Sequence, residues 1–530
     1  MRHSLKADGK VALLLCAIAS AGLLALAMPG RIGWWPLLFV ALAPLLLQVL
    51  NARPGRSALG GFVFGLVYNL ALLYWILIVL GRYGGLPLWI SLPALVLLAA
   101  YMACFPAVFC GLLSLLAGRF QCRGRSVAIL VWSAPVLWVG LDYLRSLLFS
   151  GFPWMDLGYG LFSQPVLIQA ADLGGHHLIT FSLVLCNGLV VGVVDRQRRG
   201  VRGNLRLERG LLLAALAFLG LIGGSSWFRY QEVSSITARS MQAKVAVVQG
   251  NVDQAIKWSP ATKEATVATY LKLSRQVVRE AGTELVIWPE TALPFYPQKD
   301  ALINRVTDFT TTNNTWILTG APLYTITSQA GGSDLVRYYN GAVLLGPGGR
   351  VGGQYAKQHL VPFGEYVPLR RFLPFLAPLV ESIGDFSVGA EKGPLVLGAM
   401  KLGMLICYES IFPDIARESV DRGANLLVNV TNDAWYGRSS APYQSMAMAV
   451  FRAVENKRTL IRAANTGISG FVDPLGRITA HTEIFTEAAL SALVPMLELT
   501  TVFTRGGYRF GTVCAVLMPL LVVFRPRRKE

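Results

Sequence analysis

Apolar runs close to twenty residues long recur near 11–28, 34–50, 59–80, 87–117, 127–146, 176–194, 210–228 and 510–524. A helix needs ~20 such residues to cross a hydrocarbon core of about 30 Å, so the pattern predicts about eight membrane spans. From Lys244 the texture changes to short β-rich runs broken by Gly, Pro and Asn: KVAVVQG, ELVIWPE, TWILTGAP, NGAVLLGPGGR, KLGMLICYES, NLLVNVTNDAW and RTLIRAANTG. Helical patterns separate them at about 260–281, 300–313, 411–423 and 441–457. Continuous apolar strands alternating with helices predict a buried sheet with helices packed outside it. The chain is therefore read as seven transmembrane helices over 1–230, an α/β domain over 231–505, and a last transmembrane helix with a basic tail over 506–530. No repeat of fixed period is present, which excludes a solenoid.

Charge decides which side of a membrane each part occupies. The net charge of +18 would suit a nucleic-acid binder, but residues 231–505 hold 25 basic and 23 acidic side chains. The excess lies between the apolar runs, where basic residues orient a membrane protein rather than grip phosphates. Arg2, Lys6 and Lys10, Arg53 and Arg56, Arg119, Arg123 and Arg125, the arginines from Arg196 to Arg209, and Arg525 to Lys529 all fall on one side by the positive-inside rule. The 231–505 domain and the G-F-P-W segment Gly151–Trp154 then face the other side, the periplasm of a bacterial inner membrane, with the C-terminus cytoplasmic.

Cysteine usage singles out one residue. Cys407 is the only cysteine within 231–505, so it has no partner there in a compartment where thiols oxidise. It ends the apolar strand Leu402–Ile406 and precedes Tyr408-Glu409-Ser410-Ile411-Phe412-Pro413. A thiol at a strand-to-helix turn is expected to feel the positive helix end, which favours thiolate. Trp288-Pro289-Glu290 offers a carboxylate at a strand end, and Tyr355-Ala356-Lys357-Gln358-His359 offers an ammonium. A base, a cation and a nucleophile are thus available for acyl chemistry.

With these residues the chain resembles the nitrilase superfamily, with its Glu-Lys-Cys triad, and within it the membrane-embedded apolipoprotein N-acyltransferases. The motifs are W-P-E, K-x-H-L-V-P-F-G-E-x-V-P, C-Y-E and T-N-D-A-W-x-G, in the family's order. The resemblance implies an αββα sandwich for 231–505, with Glu290 as general base, Lys357 as oxyanion-stabilising cation and Cys407 as nucleophile. It also implies supporting roles for Glu365, Tyr408 and Glu409. The implied reaction moves an acyl chain from a phospholipid, phosphatidylethanolamine being favoured, through a Cys407 thioester to the α-amine of a diacylglyceryl-cysteine at the N-terminus of an apolipoprotein. A thioester needs no ATP, and no P-loop or dinucleotide fingerprint is visible, so no cofactor, metal or nucleic acid is expected. Trp258, Asn432 and Trp435 are read as pocket residues. Phe372, Phe375 and Leu376, in the Pro-broken segment after Pro368, are read as an interfacial lid that dips into the outer leaflet.

Other residues have blander readings. His359 is expected to hydrogen-bond structurally, since no G-x-S-x-G accompanies the five histidines and a Ser-His-Asp site is disfavoured. His176-His177 lacks a third ligand at metal-site spacing. Asp142, Arg145 and Asp172 are costly against lipid and are expected near the outward G-F-P-W segment. A membrane-tethered amidase would leave the spans without a purpose, and a transporter with a sensor domain would leave Glu290, Lys357 and Cys407 as coincidence.

Overall fold

The computed structural model describes residues 4–121, 127–199, 205–254, 257, 260–328, 334–366, 386–390 and 393–523. The chain divides into two compact units, Met1–Tyr230 with Gly506–Glu530, and Gln231–Arg505.

The first unit is helical. Among the described residues four helices are long and apolar enough to cross a membrane: Pro54–Leu73, Leu88–Arg119, Ala171–Gln197 and Arg209–Arg239. Shorter apolar helices cover Val11–Ala27, Trp35–Val49 and Gly507–Val523. The run at 34–50 is not one regular helix. Pro36 opens a 3-10 turn at Trp35–Phe39 and Pro44 sits in the first turn of Ala43–Val49, where its missing N–H costs nothing but a preceding helix cannot continue through it. The helix at Ala171–Arg199 is bent at Gly174 and Gly175, the latter with φ +68°.

Asp142, Arg145, Asp156 and Asp172 of this unit are buried and paired. Arg145 lies 3.4 Å from Asp142 and is hydrogen-bonded to Asp156; Arg229 holds Asp172 at 2.6 Å. Folding also supplies the third group that sequence spacing did not reveal beside the two histidines. His176 Nε2 lies 2.9 Å and His177 Nε2 3.8 Å from Asp156 Oδ2. Because the Arg145 guanidinium already neutralises this carboxylate and Tyr159 stacks on His176 at 4.6 Å, the trio is part of a buried ion-pair network just after the G-F-P-W segment.

The second unit is a sandwich of two six-stranded sheets. The first contains β1 (Gln242–Gln249), β2 (Leu285–Ile287), β3 (Trp316–Ser328), β4 (Asp334–Leu345), β5 (Val351–Ala356) and β12 (Ala488–Pro495), in the order β12-β1-β2-β3-β4-β5. The second contains β6 (Leu395–Leu397), β7 (Met400–Ile406), β8 (Leu426–Thr431), β9 (Thr459–Ala464), β10 (Gly470–Val472) and β11 (Ile478–His481), in the order β11-β10-β9-β8-β7-β6. β1, β2 and β3 run parallel, as do β7, β8 and β9.

Strand alternation explains the continuous apolar runs. Val245 and Val247 of β1 point between the sheets with Leu402, Met404 and Ile406 of β7, while Ala246 and Val248 pack outward with Val267 and Tyr270 of the helix Pro260–Ala281. Both faces are buried, so polar positions are scarce. The helix Ile303–Asn313 covers the same outer face through Val306 and Phe309, and Pro413–Asp421 and Ala441–Asn456 accompany the other sheet. This is the αββα arrangement. Its parallel strands end together, and that end carries the chemistry.

Candidate active site

Three strand ends bring the motif residues together. Glu290 follows β2, Lys357 follows β5 and Cys407 follows β7. Glu290 Oε1 accepts from Asn340 Nδ2 at 2.8 Å, and Oε2 accepts from the Asn432 N–H at 2.9 Å. Lys357 Nζ lies 4.0 Å from Glu290 Oε1 and donates to Glu365 Oε1 at 2.9 Å. Asn340 Nδ2 reaches Glu365 Oε1 as well, at 2.7 Å, so one amide ties the two carboxylates together. Lys357 is 1 % exposed. Burial works against its ammonium, but Glu365, Cys407 and Glu290 together hold it above the ordinary lysine value.

The turn after Glu290 requires a glycine opposite it. A Cβ on Gly320 would lie 2.6 Å from Glu290 Cα, so the W-P-E turn can fold against β3 only where no side chain intervenes.

Cys407 is partly exposed and adopts φ +51°, a left-handed conformation that costs a non-glycine residue about 1–3 kcal/mol. The expectation of a helix-stabilised thiolate fails here. Cys407 opens a five-residue 3-10 turn, Cys407–Ile411, and the α-helix begins only at Pro413; the N–H of Ile406, the last residue of β7, is taken by the Glu409 carboxylate at 2.7 Å. Burial pushes the thiol up to about 12, with Glu290 adding to the rise and Lys357 and the Thr431 hydroxyl pulling it back. At neutral pH Cys407 then rests as a thiol.

Glu409 is wholly buried and does not serve as a surface charge. Its carboxylate accepts from Gln358 N–H at 2.6 Å, His359 N–H at 3.1 Å, Ile406 N–H at 2.7 Å and the Tyr355 hydroxyl at 3.1 Å. It therefore pins the lysine-bearing segment to the cysteine-bearing turn. Burial pushes its carboxyl up to about 7 while those N–H donors and Lys357 pull it down. Replacing Glu409 by Ala strands three backbone donors and a hydroxyl, each costing roughly 1–3 kcal/mol when buried unpaired. The detergent-solubilised Glu409→Ala protein is expected to unfold at clearly lower urea concentration than wild type; an unchanged midpoint would contradict the clamp.

The backbone N–H of His359 serves Glu409, and its ring lies 3.8 Å from that of Phe412. Tyr408 is buried edge-on to the same Phe412 ring. Asn432 joins the site through its backbone, and its side chain meets Gln254 and Asn465. Trp435 sits partly exposed on the turn Asp433–Tyr436 that follows. Trp258, Phe372, Phe375 and Leu376 lie outside the described residues. Asn340 and Lys257 were not singled out from sequence. Asn340 is a polar residue opening an otherwise apolar run, a weak signal, and Lys257 carries none.

Residues 244–501 match the carbon-nitrogen hydrolase family, and residues 20–189 match the apolipoprotein N-acyltransferase N-terminal domain. An apolipoprotein N-acyltransferase of Geobacter metallireducens is 40% identical over 517 residues, 97% of this chain and 96% of that one. The chain belongs to the apolipoprotein N-acyltransferase family. Another member, from Methylococcus capsulatus, is 34% identical over 93% of both chains. Among solved structures, an amidase from Nesterenkonia sp. is similar at 21% identity and a TM-score of 0.35, covering 48% of this chain and 92% of its own. The two family matches fall on the two units: the N-terminal-domain match lies within the helical unit and the carbon-nitrogen hydrolase match covers most of the αββα unit.

Proposed function

We propose that this enzyme transfers an acyl chain from a phospholipid to an apolipoprotein in two steps through a thioester on Cys407. Glu290 takes the thiol proton as sulfur attacks the ester carbonyl, and Lys357 stabilises the oxyanion of the tetrahedral intermediate. Collapse breaks the ester C–O bond, and Glu290 returns the proton to the departing lysophospholipid. In the second step the α-amine of the diacylglyceryl-cysteine attacks the thioester, Glu290 accepts the amine proton, and Cys407 leaves and is reprotonated. Phosphatidylethanolamine is the proposed donor, its sn-1 chain the group transferred.

The observation that carries this reading is the convergence of both charges on one thiol. Lys357 sits 4.0 Å from the Glu290 carboxylate, and the two act on Cys407 with opposite sign. Glu365 is assigned the positioning of Lys357, which it contacts at 2.9 Å. The 231–505 domain is placed in the periplasm and the C-terminus in the cytoplasm on the distribution of basic residues.

Lys357→Ala is expected to slow thioester formation on the order of 10²- to 10³-fold, the usual loss when one oxyanion donor is removed. Quenched single-turnover assays with labelled phospholipid measure it, and near wild-type turnover would move the role to another group. For the overall reading, enzyme pre-loaded with a labelled acyl chain and freed of donor is mixed with a diacylglyceryl-cysteine peptide. Label passing to the peptide amine is expected. Label released only as free fatty acid would replace transfer by hydrolysis.

A further inference from the structure

Lys257 stands outside every motif that named the site, yet its side chain is 1 % exposed and its Nζ donates to the main-chain carbonyl of Glu290 at 3.2 Å. A buried ammonium carries a desolvation cost of several kcal/mol, of the order found for unpaired ions in protein interiors. Its partner is therefore informative. Here it is the backbone of the residue assigned as base, at a turn that β3 holds from its other side. Gly320 N–H donates to Pro289 O at 3.1 Å on one side, and Thr291 follows with φ +52°, a conformation a threonine adopts only when its surroundings impose it.

We propose that Lys257 is a positioning residue for the acyl-transfer reaction: its ammonium fixes the peptide between Glu290 and Thr291 so that the carboxylate aims at Cys407. The proposal rests on the reading of Glu290 as the base. It divides the work of two lysines. Lys357 is on the carboxylate side, 4.0 Å from Oε1, and is committed to the oxyanion during attack. Lys257 is on the carbonyl side and stays free of the reacting atoms, so the base keeps a cation beside it through both steps.

The charge is within reach of titration. Burial pulls the Lys257 ammonium down to about 8, and among the described residues Glu290 is the charged group acting against that fall. Below this pH the cation is present; above it the side chain is neutral. Wild-type thioester formation is accordingly expected to decline as pH rises through about 8.

The test uses full-length enzyme in detergent with a labelled phosphatidylethanolamine donor, following thioester formation in single turnovers from pH 6 to 10. Lys257→Met should form the thioester roughly 10- to 100-fold more slowly, the loss expected when a reacting group is misplaced by about 1 Å, with KM for the donor unchanged. Lys257→Arg keeps a cation that does not titrate in this range, and should move the alkaline decline upward. A purely structural lysine would leave that decline where it was. Lys257→Met within threefold of wild type, or Lys257→Arg with its decline still near pH 8, overturns the proposal. Should Lys257→Met fail to fold, the Lys257→Arg profile decides alone. Glu290→Gln is run in parallel: wild-type rates there overturn the base assignment itself, whereas loss there with unaltered Lys257 variants overturns only the role of Lys257.

Discussion

Cys407→Ala should abolish thioester formation and lipoprotein acylation together, since both steps pass through the same sulfur. Deleting the nucleophile of a serine protease costs on the order of 10⁶ in kcat, and no second cysteine exists within residues 231–505 to replace it. Cys407→Ser should retain at most a slow ester-forming activity, because a hydroxyl is far harder to ionise than a thiol. The left-handed conformation at this position makes the comparison clean, as Cys, Ser and Ala bear it with similar strain. Complementation of lipoprotein maturation by the Ala variant would remove Cys407 from the mechanism.

Glu290→Gln should be nearly as damaging to catalysis, and it carries a second, opposite signature. The amide keeps the hydrogen-bond geometry in part but cannot take the thiol proton, so no thioester should accumulate. At the same time the carboxylate is one of the influences that push the Cys407 thiol upward. Removing its charge leaves Lys357 less opposed, so the apparent thiol pKa should fall. Alkylation by a small iodoacetamide-type reagent, followed against pH, should therefore begin at lower pH in the variant than in wild type. A variant that is inactive with an unshifted thiol would mean that Glu290 is structural. One that still forms thioester at full rate would mean that another group is the base.

The parts of this site that were legible in the sequence are those in which chemistry and local pattern coincide. Glu290 and Cys407 each follow an apolar strand, and strand ends are where buried sheets present polar groups; Lys357 is marked by its place in the K-x-H-L-V-P-F-G-E motif. Asn340 and Lys257 act on Glu290 from 50 and 33 residues away; nothing local marks such long-range contacts. Thiolate stabilisation was misjudged for a local reason. Sequence places a helix from about Pro413, and it begins there, but a 3-10 turn separates it from the thiol and Glu409 captures the N–H of Ile406 just before that turn. In the fold, the long helices follow the apolar runs, whereas the run at 34–50 breaks at its prolines. β5 went unread because V-G-G-Q-Y-A is glycine-rich and mostly exposed, so it lacks the apolar texture that marks the central strands. The αββα pairing itself came from family resemblance, since apolar strand runs announce a buried sheet without saying how many sheets there are.

The same physical facts explain why a thiol pushed up to about 12 can serve as nucleophile. A preformed thiolate would react with any electrophile that reached it, while a protonated thiol beside a carboxylate ionises only as attack proceeds. Glu365 and Asn340 hold Lys357 and Glu290 at fixed separation, and Glu409 fixes the Cys407 turn against them.

The most direct measurement is the intact mass of full-length enzyme after incubation with phosphatidylethanolamine of defined chains, followed by peptide mapping and neutral hydroxylamine treatment. One sn-1 acyl mass on the peptide containing Cys407, released by hydroxylamine and discharged by a diacylglyceryl-cysteine peptide, is the predicted result. An unmodified Cys407 in enzyme that nevertheless acylates the peptide would contradict the thioester mechanism.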